Sequence, residues 1–508
     1  MNKNNYIIAV DLGSASVKAA AGSREPDGKL NVLEVVTKPM EGMIRGEVVN
    51  IEQVTKAIRE AVSELEEKLD IKVTEAYTGA SGQDISCTDN TYFVYVTGED
   101  GEIRELDVAK LHESMENLQP PDGVAILDRI PQKYLIDNHE ETLYPVGRFG
   151  HQLQATFNFV LGNKSTLERM SKAFKRLEIK QLETYTNAQA SAAAVLTEDE
   201  KELGAAVIDI GAGCTDICVW QDNKLRHVGV IPIGSAAINS DIKAIAIPER
   251  SIEKLKVTHG YAVADKIPEE KRTQSIKIKG RTQRETKEVS FYNLAQIIEA
   301  RVLDIIEHVM EELKDSGYGD KLGAGIVLTG GGSMLKDIDI LFREKTGLDI
   351  RIGGTEHNLV SRESYEFADD PHLSTALGVL LLGMRESDIE PLREPVNRRH
   401  RYEDEEKPEK GPKRYEIDYD DEPDDRSHRA GSSARRETAP ERGSSDHGNS
   451  ARREKDEKRP EKKKEEKESK PKKEPKPKKE KGEKKGVFGG FKKFFDDVFE
   501  VVDDDVIE

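Results

Sequence analysis

The chain has 508 residues, enough for two or more domains, with 78 Lys and Arg against 97 Asp and Glu for a formal net charge of -19. That balance argues against a general nucleic-acid-binding surface on the body, and Cys87, Cys214 and Cys218 form neither a metal spacing nor a disulfide framework, which fits a reducing compartment. No leader segment is expected, because residues 6–10 are too short for an apolar core and run straight into Asp11; the longest apolar run, 376–384, is about half of a membrane span.

Residues 1–83 are expected to form a three-stranded meander, a helix and a further strand. The helix, over 51–69, places Val54, Ile58, Ala61, Val62, Leu65 and Leu69 at helical spacing. The first strand runs into Asp11-Leu12-Gly13-Ser14-Ala15-Ser16-Val17-Lys18. Residues 84–162 change character: short strands, a helix near 108–117, a Pro120-Pro121-Asp122-Gly123 turn and a period-two strand over 152–160. They read as a small α+β unit inserted into the first domain, better suited to interaction than to chemistry. Residues 163–203 are expected to form two helices. Leu167, Met170, Phe174 and Leu177 give the first an apolar face, and the small residues of Asn187-Ala188-Gln189-Ala190-Ser191-Ala192-Ala193-Ala194 suit the second to close packing.

A second copy of the first strand and turn follows in Val207-Ile208-Asp209-Ile210-Gly211-Ala212-Gly213-Cys214-Thr215-Asp216-Ile217. The glycines allow close approach, and free backbone N–H groups in such a turn can point at phosphate oxygens. Carboxylates beside a phosphate repel it unless a cation intervenes, so Mg2+ held through its waters is expected. Each copy is followed by a short strand, a polar turn (Pro26-Asp27-Gly28-Lys29; Gln221-Asp222-Asn223-Lys224) and another apolar strand. Two such turns face to face would clamp a nucleotide's phosphates; the plain alternative is two ordinary hairpins. Gly234-Ser235 opens a further loop on the phosphate side. Glu253 and Lys256 lie one turn apart on a helix, either as ligand contacts or as a solvated face. An exposed hairpin is expected over 265–290 and a long amphipathic helix over 293–313. Thr329-Gly330-Gly331-Gly332-Ser333 then takes a strand into three glycines, which suits backbone approach to a base or sugar.

From about 393 to 486 large apolar residues nearly vanish, so this stretch cannot offset its ordering entropy and is expected to be disordered. Residues 451–486 hold 18 Lys and Arg against 10 Asp and Glu. Beyond them Val487, Phe488, Phe491, Phe494, Phe495, Val498, Phe499 and Val502 share one helical face. An interfacial membrane helix is the expected reading, helped by Lys481, Lys484 and Lys485 at about 1 kcal/mol each near anionic lipid. Docking in a protein groove is the alternative.

On these motifs the chain resembles the actin/Hsp70/hexokinase superfamily and, within it, the FtsA family of bacterial cell-division actin homologues. The family likeness is carried further by Leu196-Thr197-Glu198-Asp199-Glu200-Lys201-Glu202-Leu203-Gly204, His227-Val228-Gly229-Val230-Ile231-Pro232 and Gly150-His151-Gln152-Leu153. The resemblance implies an α/β fold of duplicated actin-like lobes. The first lobe takes 1–83, 163–203 and 360–392, the inserted subdomain 84–162 and the second lobe 204–359. The charged linker (393–486) and the amphipathic membrane helix (487–508) follow.

It further implies ATP and Mg2+. The phosphates would be held by Asp11, Gly13, Ser14, Ser16, Lys18, Asp209, Gly211, Ala212, Gly213, Cys214, Thr215 and Asp216, and the nucleoside by Gly234, Glu253, Lys256, Gly330, Gly331, Gly332 and Ser333. Asp11 and Asp209 would meet the metal through water. Implied partners are the acidic FtsZ tail, gripped at Arg301, further copies of the chain, other division proteins and membrane lipid, at the cytoplasmic face of the division site. Arg301 as an ordinary surface residue is the alternative. The sequence departs from relatives where Gly211-Ala212-Gly213-Cys214 replaces the commoner Gly-Gly-Gly-Thr, where Ser235 replaces the usual second glycine, and where Asn187 stands at a position that is acidic in some of them. An amide is a poor general base, so no catalytic residue is assigned and at most slow hydrolysis is expected. A small-molecule kinase or a chaperone-like ATPase of the same superfamily remains the rival reading, separated by the insert and the Phe-rich helix.

Overall fold

The computed structural model describes residues 6–98, 100–279 and 286–387, which belong to a compact unit spanning Met1–Val396. The linker and the Phe-rich helix expected at 393–486 and 487–508 lie outside the described residues.

Asp11 ends a strand, β1 (Ile7–Leu12), that turns back into β2 (Ser16–Arg24) and β3 (Leu30–Pro39). A two-residue hairpin, β4 (Met43–Ile44) and β5 (Glu47–Val48), leads to α1 (Ile51–Leu69) and β6 (Glu75–Ala80). Helix α1 starts where Asn50 accepts from the Glu52 and Gln53 amides, and it buries Val54, Ile58, Ala61, Val62 and Leu65 on the sheet. After the insert come α3 (Lys164–Lys175), then β11 (Lys180–Thr186), α4 (Asn187–Val195) and α5 (Glu198–Leu203), numbered with the insert's strands β7–β10 and helix α2 given below. The two helices expected over 163–203 are therefore three, with a strand between them. Strand β11 is a polar edge strand, which is why its alternation is faint.

The second lobe repeats the plan. Strands β12 (Ala205–Ile210), β13 (Thr215–Gln221) and β14 (Lys224–Ile231) form the meander. Then come α6 (Ala236–Ala244), α7 (Glu249–His259), the short α8 (Glu269–Arg272), the strands β15 (Ser275–Lys279) and β16 (Thr286–Ser290), and α9 (Phe291–Asp315). Strand β17 (Gly325–Thr329), α10 (Ile338–Thr346), β18 (Ile350–Ile352), α11 (Tyr365–Ala368) and α12 (Ser374–Glu386) complete the unit. The sheet orders are β3-β2-β1-β6-β11 and β14-β13-β12-β17-β18. In both, the first strand pairs antiparallel with the second and parallel with the fourth. The duplication first seen in two short motifs thus extends over two whole sheets.

Helices α4 and α12 cross between the sheets in one shared core with Ala9, Ala20, Val207 and Cys218. The crossing is close because α4 is built of small residues and α12 offers Gly378 to it: a Cβ there would lie 1.9 Å from the Ala190 carbonyl oxygen.

The insert consists of β7 (Ser86–Tyr95), α2 (Glu105–Glu116), β8 (Val124–Ile136), β9 (Glu140–Thr142) and β10 (Gln152–Asn163), with sheet order β7-β10-β8-β9. It has its own core around Ile103, Leu111, Met115, Leu153 and Phe157. It also docks on β14 of the second lobe: Gln132 Nε2 donates to the Leu225 carbonyl (2.9 Å), and Lys224 Nζ donates to the Gln132 carbonyl (2.7 Å). Among the described residues no helix is long and apolar enough to cross a membrane.

Candidate nucleotide site

The two hairpin turns are built alike. Gly13 N–H donates to the Ser16 carbonyl (3.0 Å), and Gly211 N–H donates to the Cys214 carbonyl (2.9 Å). Across the first hairpin Asp11 is paired in register with Lys18; across the second, Asp209 with Asp216. The equivalent positions therefore carry opposite charges. Lys18 Nζ sits 2.7 Å from Asp11 Oδ2, with both side chains under a tenth exposed. The turns touch, since a Cβ on Gly213 would fall 2.4 Å from Ser14 Oγ. Ser81 Oγ, from the first lobe, donates to Asp216 Oδ1 at 2.8 Å.

Between them lies a cavity of about 430 Å3 lined by both lobes, within the range of small-ligand sites. Asp11, Gly13, Ser14, Ser16, Lys18, Asp209, Gly211, Ala212 and Asp216 line it from the two hairpins, and Glu253, Lys256 and Gly330 to Gly332 line it from elsewhere in the second lobe. Glu253 and Lys256 form an ion pair at 3.0 Å on α7, so the helical pair lines the cavity. Burial would raise the Glu253 carboxyl, but hydrogen bonds from Asn239 and Lys256 outweigh it and hold the carboxyl low. Gly330 has φ +79°, and a Cβ there would lie 2.1 Å from Asp209 Oδ1. Only glycine lets this backbone pass the carboxylate.

Gly213, Cys214, Thr215, Gly234 and Ser333 do not line the cavity; they brace its walls. Thr215 Oγ1 donates to the Ile233 carbonyl (2.8 Å) and Ser333 Oγ to the Gly330 carbonyl (2.7 Å). Gly234 packs on Ala212, and burial pushes the Cys214 thiol up to about 12. Arg301 stands apart on α9. Its guanidinium grips both oxygens of Asp241 (2.7 and 3.0 Å) and reaches Asp304 (3.0 Å), with the side chain only 13% exposed.

Several residues in or behind the wall belong to no motif. Ser191 and Thr375 both donate to Asp209 Oδ2, the latter at 2.8 Å. Lys271, Tyr261, Lys336 and His372 complete the cavity, with Lys336 Nζ 3.1 Å from the Tyr261 hydroxyl. A lone hydroxyl in the alanine-rich α4 is the one sequence signal that could have marked Ser191.

Burial raises the Asp209 carboxyl, against the pull of Ser191, Thr375 and Lys18. Burial and then repulsion from Asp209 raise Asp216 well above the usual carboxylate range. At the two turns, Asp11, Asp209 and Asp216 thus stand beside one lysine, Lys18. Asp11 Oδ1 and Asn187 Oδ1 are buried without a hydrogen-bond partner among the described residues. Such orphaned acceptors are rare and ask for a donor or cation. Among the described residues no three His, Cys, Asp or Glu are placed to hold a metal directly.

Two like sheets, facing turns and a cavity between the lobes define an actin-like protein. One solved relative in fold, a PilM–PilN type IV pilus biogenesis complex, superposes with a TM-score of 0.50 at 16% identity, covering 76% of this chain and 99% of that one. Residues 206–378 match the family described as cell division protein FtsA, and residues 82–161 match the SHS2 domain inserted in FtsA. Curated FtsA proteins are similar over most of their length: 34% identity for Neisseria meningitidis serogroup B and 32% for Escherichia coli strain K12, each covering 74% of this chain and 90% of the relative. That of Bacillus subtilis is 30% identical, covering 77% and 86%. The chain belongs to the FtsA family of cell-division proteins.

Proposed function

We propose that the chain is an ATP-binding, self-assembling division protein that links the FtsZ tail to the cytoplasmic face of the membrane at the division site. The observation that carries the nucleotide part is the cavity between the two turns, with its orphaned Asp11 Oδ1 and the three buried carboxyls gathered at those turns. Asp11 and Asp209 would hold Mg2+ through water, and the ion would supply the charge that lets acids and phosphates share one site. Glycine-turn amides and Lys18 would receive the phosphates, and Glu253, Lys256 and Gly330 to Gly332 the nucleoside. Asn187 lines the same cavity. Having no proton to give or take near neutral pH, its amide supports binding with slow turnover over rapid hydrolysis.

The membrane part rests on the single apolar face from Val487 to Phe499 after a basic stretch. The FtsZ-tail and polymer parts rest on family membership. Arg301 is committed to Asp241 and Asp304, so an acidic tail must share or replace those carboxylates to use it. Titration calorimetry with ATP, with and without Mg2+, tests the first part: saturable binding that weakens when Mg2+ is removed is expected, and no binding in either condition refutes it. Liposome co-sedimentation of the full chain against a chain ending at Gly486 tests the second; equal pelleting of both refutes residues 487–508 as the anchor.

A further inference from the structure

The insert and the second lobe meet at a chain of three reactive groups far from the glycine turns. Cys87 on β7 places its Sγ 3.3 Å from His227 Nδ1 on β14, and His227 Nε2 lies 2.8 Å from Glu312 Oε1 on α9. The Val228 backbone N–H also points at the sulfur, at 3.4 Å. Glu312 reaches the imidazole because residue 229 is glycine: a Cβ there would lie 2.2 Å from Glu312 Oε1. Asn158, on β10 opposite Asp89 and two residues from Cys87's register partner Val160, is 4% exposed, and its Oδ1 lacks a partner among the described residues.

A thiol flanked by an imidazole and a backbone N–H, with the imidazole held by a carboxylate, is the arrangement that stabilises a thiolate. Burial opposes ionisation of Cys87, yet His227, Val228 and Asn158 together bring its thiol below the ordinary value. His227 is correspondingly raised to about 9, where burial is outweighed by Cys87 and Glu312. Cys214 and Cys218 are fully inside, and burial pushes both thiols up. Cys87 is half-buried between the exposed Ser86 and Thr88, on the edge strand of its sheet.

We propose that Cys87 is a nucleophilic thiolate that exchanges with low-molecular-weight disulfides, and that the resulting mixed disulfide loosens the joint between the insert and the second lobe. In the exchange the sulfur lone pair of Cys87 forms the new S–S bond as the disulfide's own S–S bond breaks. The departing thiolate leaves with the electron pair of the broken bond; that of glutathione is then protonated by water, whereas an aromatic one stays a thiolate. No net oxidant is needed beyond the disulfide itself. The adduct turns the sulfur from a thiolate into an uncharged disulfide sulfur carrying a bulky group, so the charge-assisted 3.3 Å contact with His227 is lost.

The test uses the full-length protein with an aromatic disulfide, dithiobis(nitrobenzoate), and with glutathione disulfide, the adduct being located by mass spectrometry. An ordinary thiol with a pKa of about 8.5 reacts about 75-fold more slowly at pH 6 than at pH 8, because its thiolate fraction falls by that ratio. Cys87 should slow by clearly less than that ratio, and His227→Gln should restore the steep dependence. The wild-type profile stands even if the variant folds poorly. A wild-type slope as steep as that of a free thiol, or labelling of Cys87 only after unfolding, overturns the site. Faster amide hydrogen exchange over 224–231 in the adduct is the expected sign of the loosened joint; unchanged exchange overturns that half of the proposal.

Discussion

Lys18→Met isolates the charge arrangement of the first turn. The wild-type pair has its N···O distance at 2.7 Å with side chains 7% and 3% exposed. At an effective dielectric of 20, two unit charges at that distance attract by about 6 kcal/mol before desolvation is counted. Removing one partner of such a pair destabilises by about 3–5 kcal/mol, because the survivor stays buried and uncompensated. The effect should sit near the upper end here, since Asp209 and Asp216 lie in the same cavity. Asp11→Asn combined with Lys18→Met removes the stranded charge and should recover at least half of that loss. Urea unfolding followed by the fluorescence of Trp220, the chain's one tryptophan, reads the loss as a shifted midpoint at constant slope. A loss below about 1 kcal/mol in the single variant, or an equal loss in single and double variants, would refute the reasoning.

Gly330→Ala forces a Cβ to within 2.1 Å of Asp209 Oδ1 at φ +79°; ATP affinity should fall at least tenfold, about 1.4 kcal/mol, by calorimetry. Asp216→Asn keeps an acceptor for the Ser81 hydroxyl but removes a carboxyl that is raised in the folded state. Since the folded protein binds that proton more tightly, this carboxyl's contribution is present below about pH 3.8 and lost as pH rises through the raised value. The variant should therefore be more stable than wild type at pH 7 without nucleotide, with the gap closing towards pH 4; a gap that widens in acid contradicts the assignment. Arg301→Ala strands Asp241 and Asp304 and should cost about 3–5 kcal/mol of stability in urea unfolding. Loss of FtsZ-tail binding in that variant counts as recognition only if Arg301→Lys, which keeps a cation there, keeps the fold and still binds weakly.

The parts of this molecule legible in sequence are those where local chemistry and tertiary role coincide. Both glycine turns follow from their residue types, the helix at 51–69 and the long helix α9 follow from periodicity, and the buried faces of the helices are the expected ones except that Leu69 is only partly covered. Strand β11 was hidden because an edge strand needs no continuous apolar face: Lys180, Gln181, Glu183 and Thr184 leave little alternation to read. The Asp209 donors were hidden for another reason. Ser191 and Thr375 are 184 positions apart and meet only where α4 crosses α12, at 3.0 Å from each other. No local pattern carries a contact of that separation. Lys18 and Asp216 were visible as residues, but their equivalence required the register of both hairpins.

That equivalence bears on how the site would work. A duplicated fold begins with two like turns, and two like turns offer a ligand the same electrostatics from both sides. Here the register opposite the strand-end aspartate holds Lys18 in one lobe and Asp216 in the other. The first turn has its lysine at 2.7 Å, whereas the second holds two carboxyls that burial raises, Asp216 further by repulsion from Asp209. A cation entering the cavity gains most beside the second turn, and an anion gains most beside Lys18. Closure of the lobes on a hydrated metal and a polyphosphate would then neutralise both walls together, which neither ligand achieves alone. Mg2+ and ATP should accordingly bind with positive coupling, each raising the affinity of the other by the same factor. Asp216→Asn should shrink that factor more than it weakens ATP in the absence of metal. Calorimetric titration of each ligand with and without the other measures the factor directly, and equal factors in wild type and variant would contradict the division of labour between the two turns.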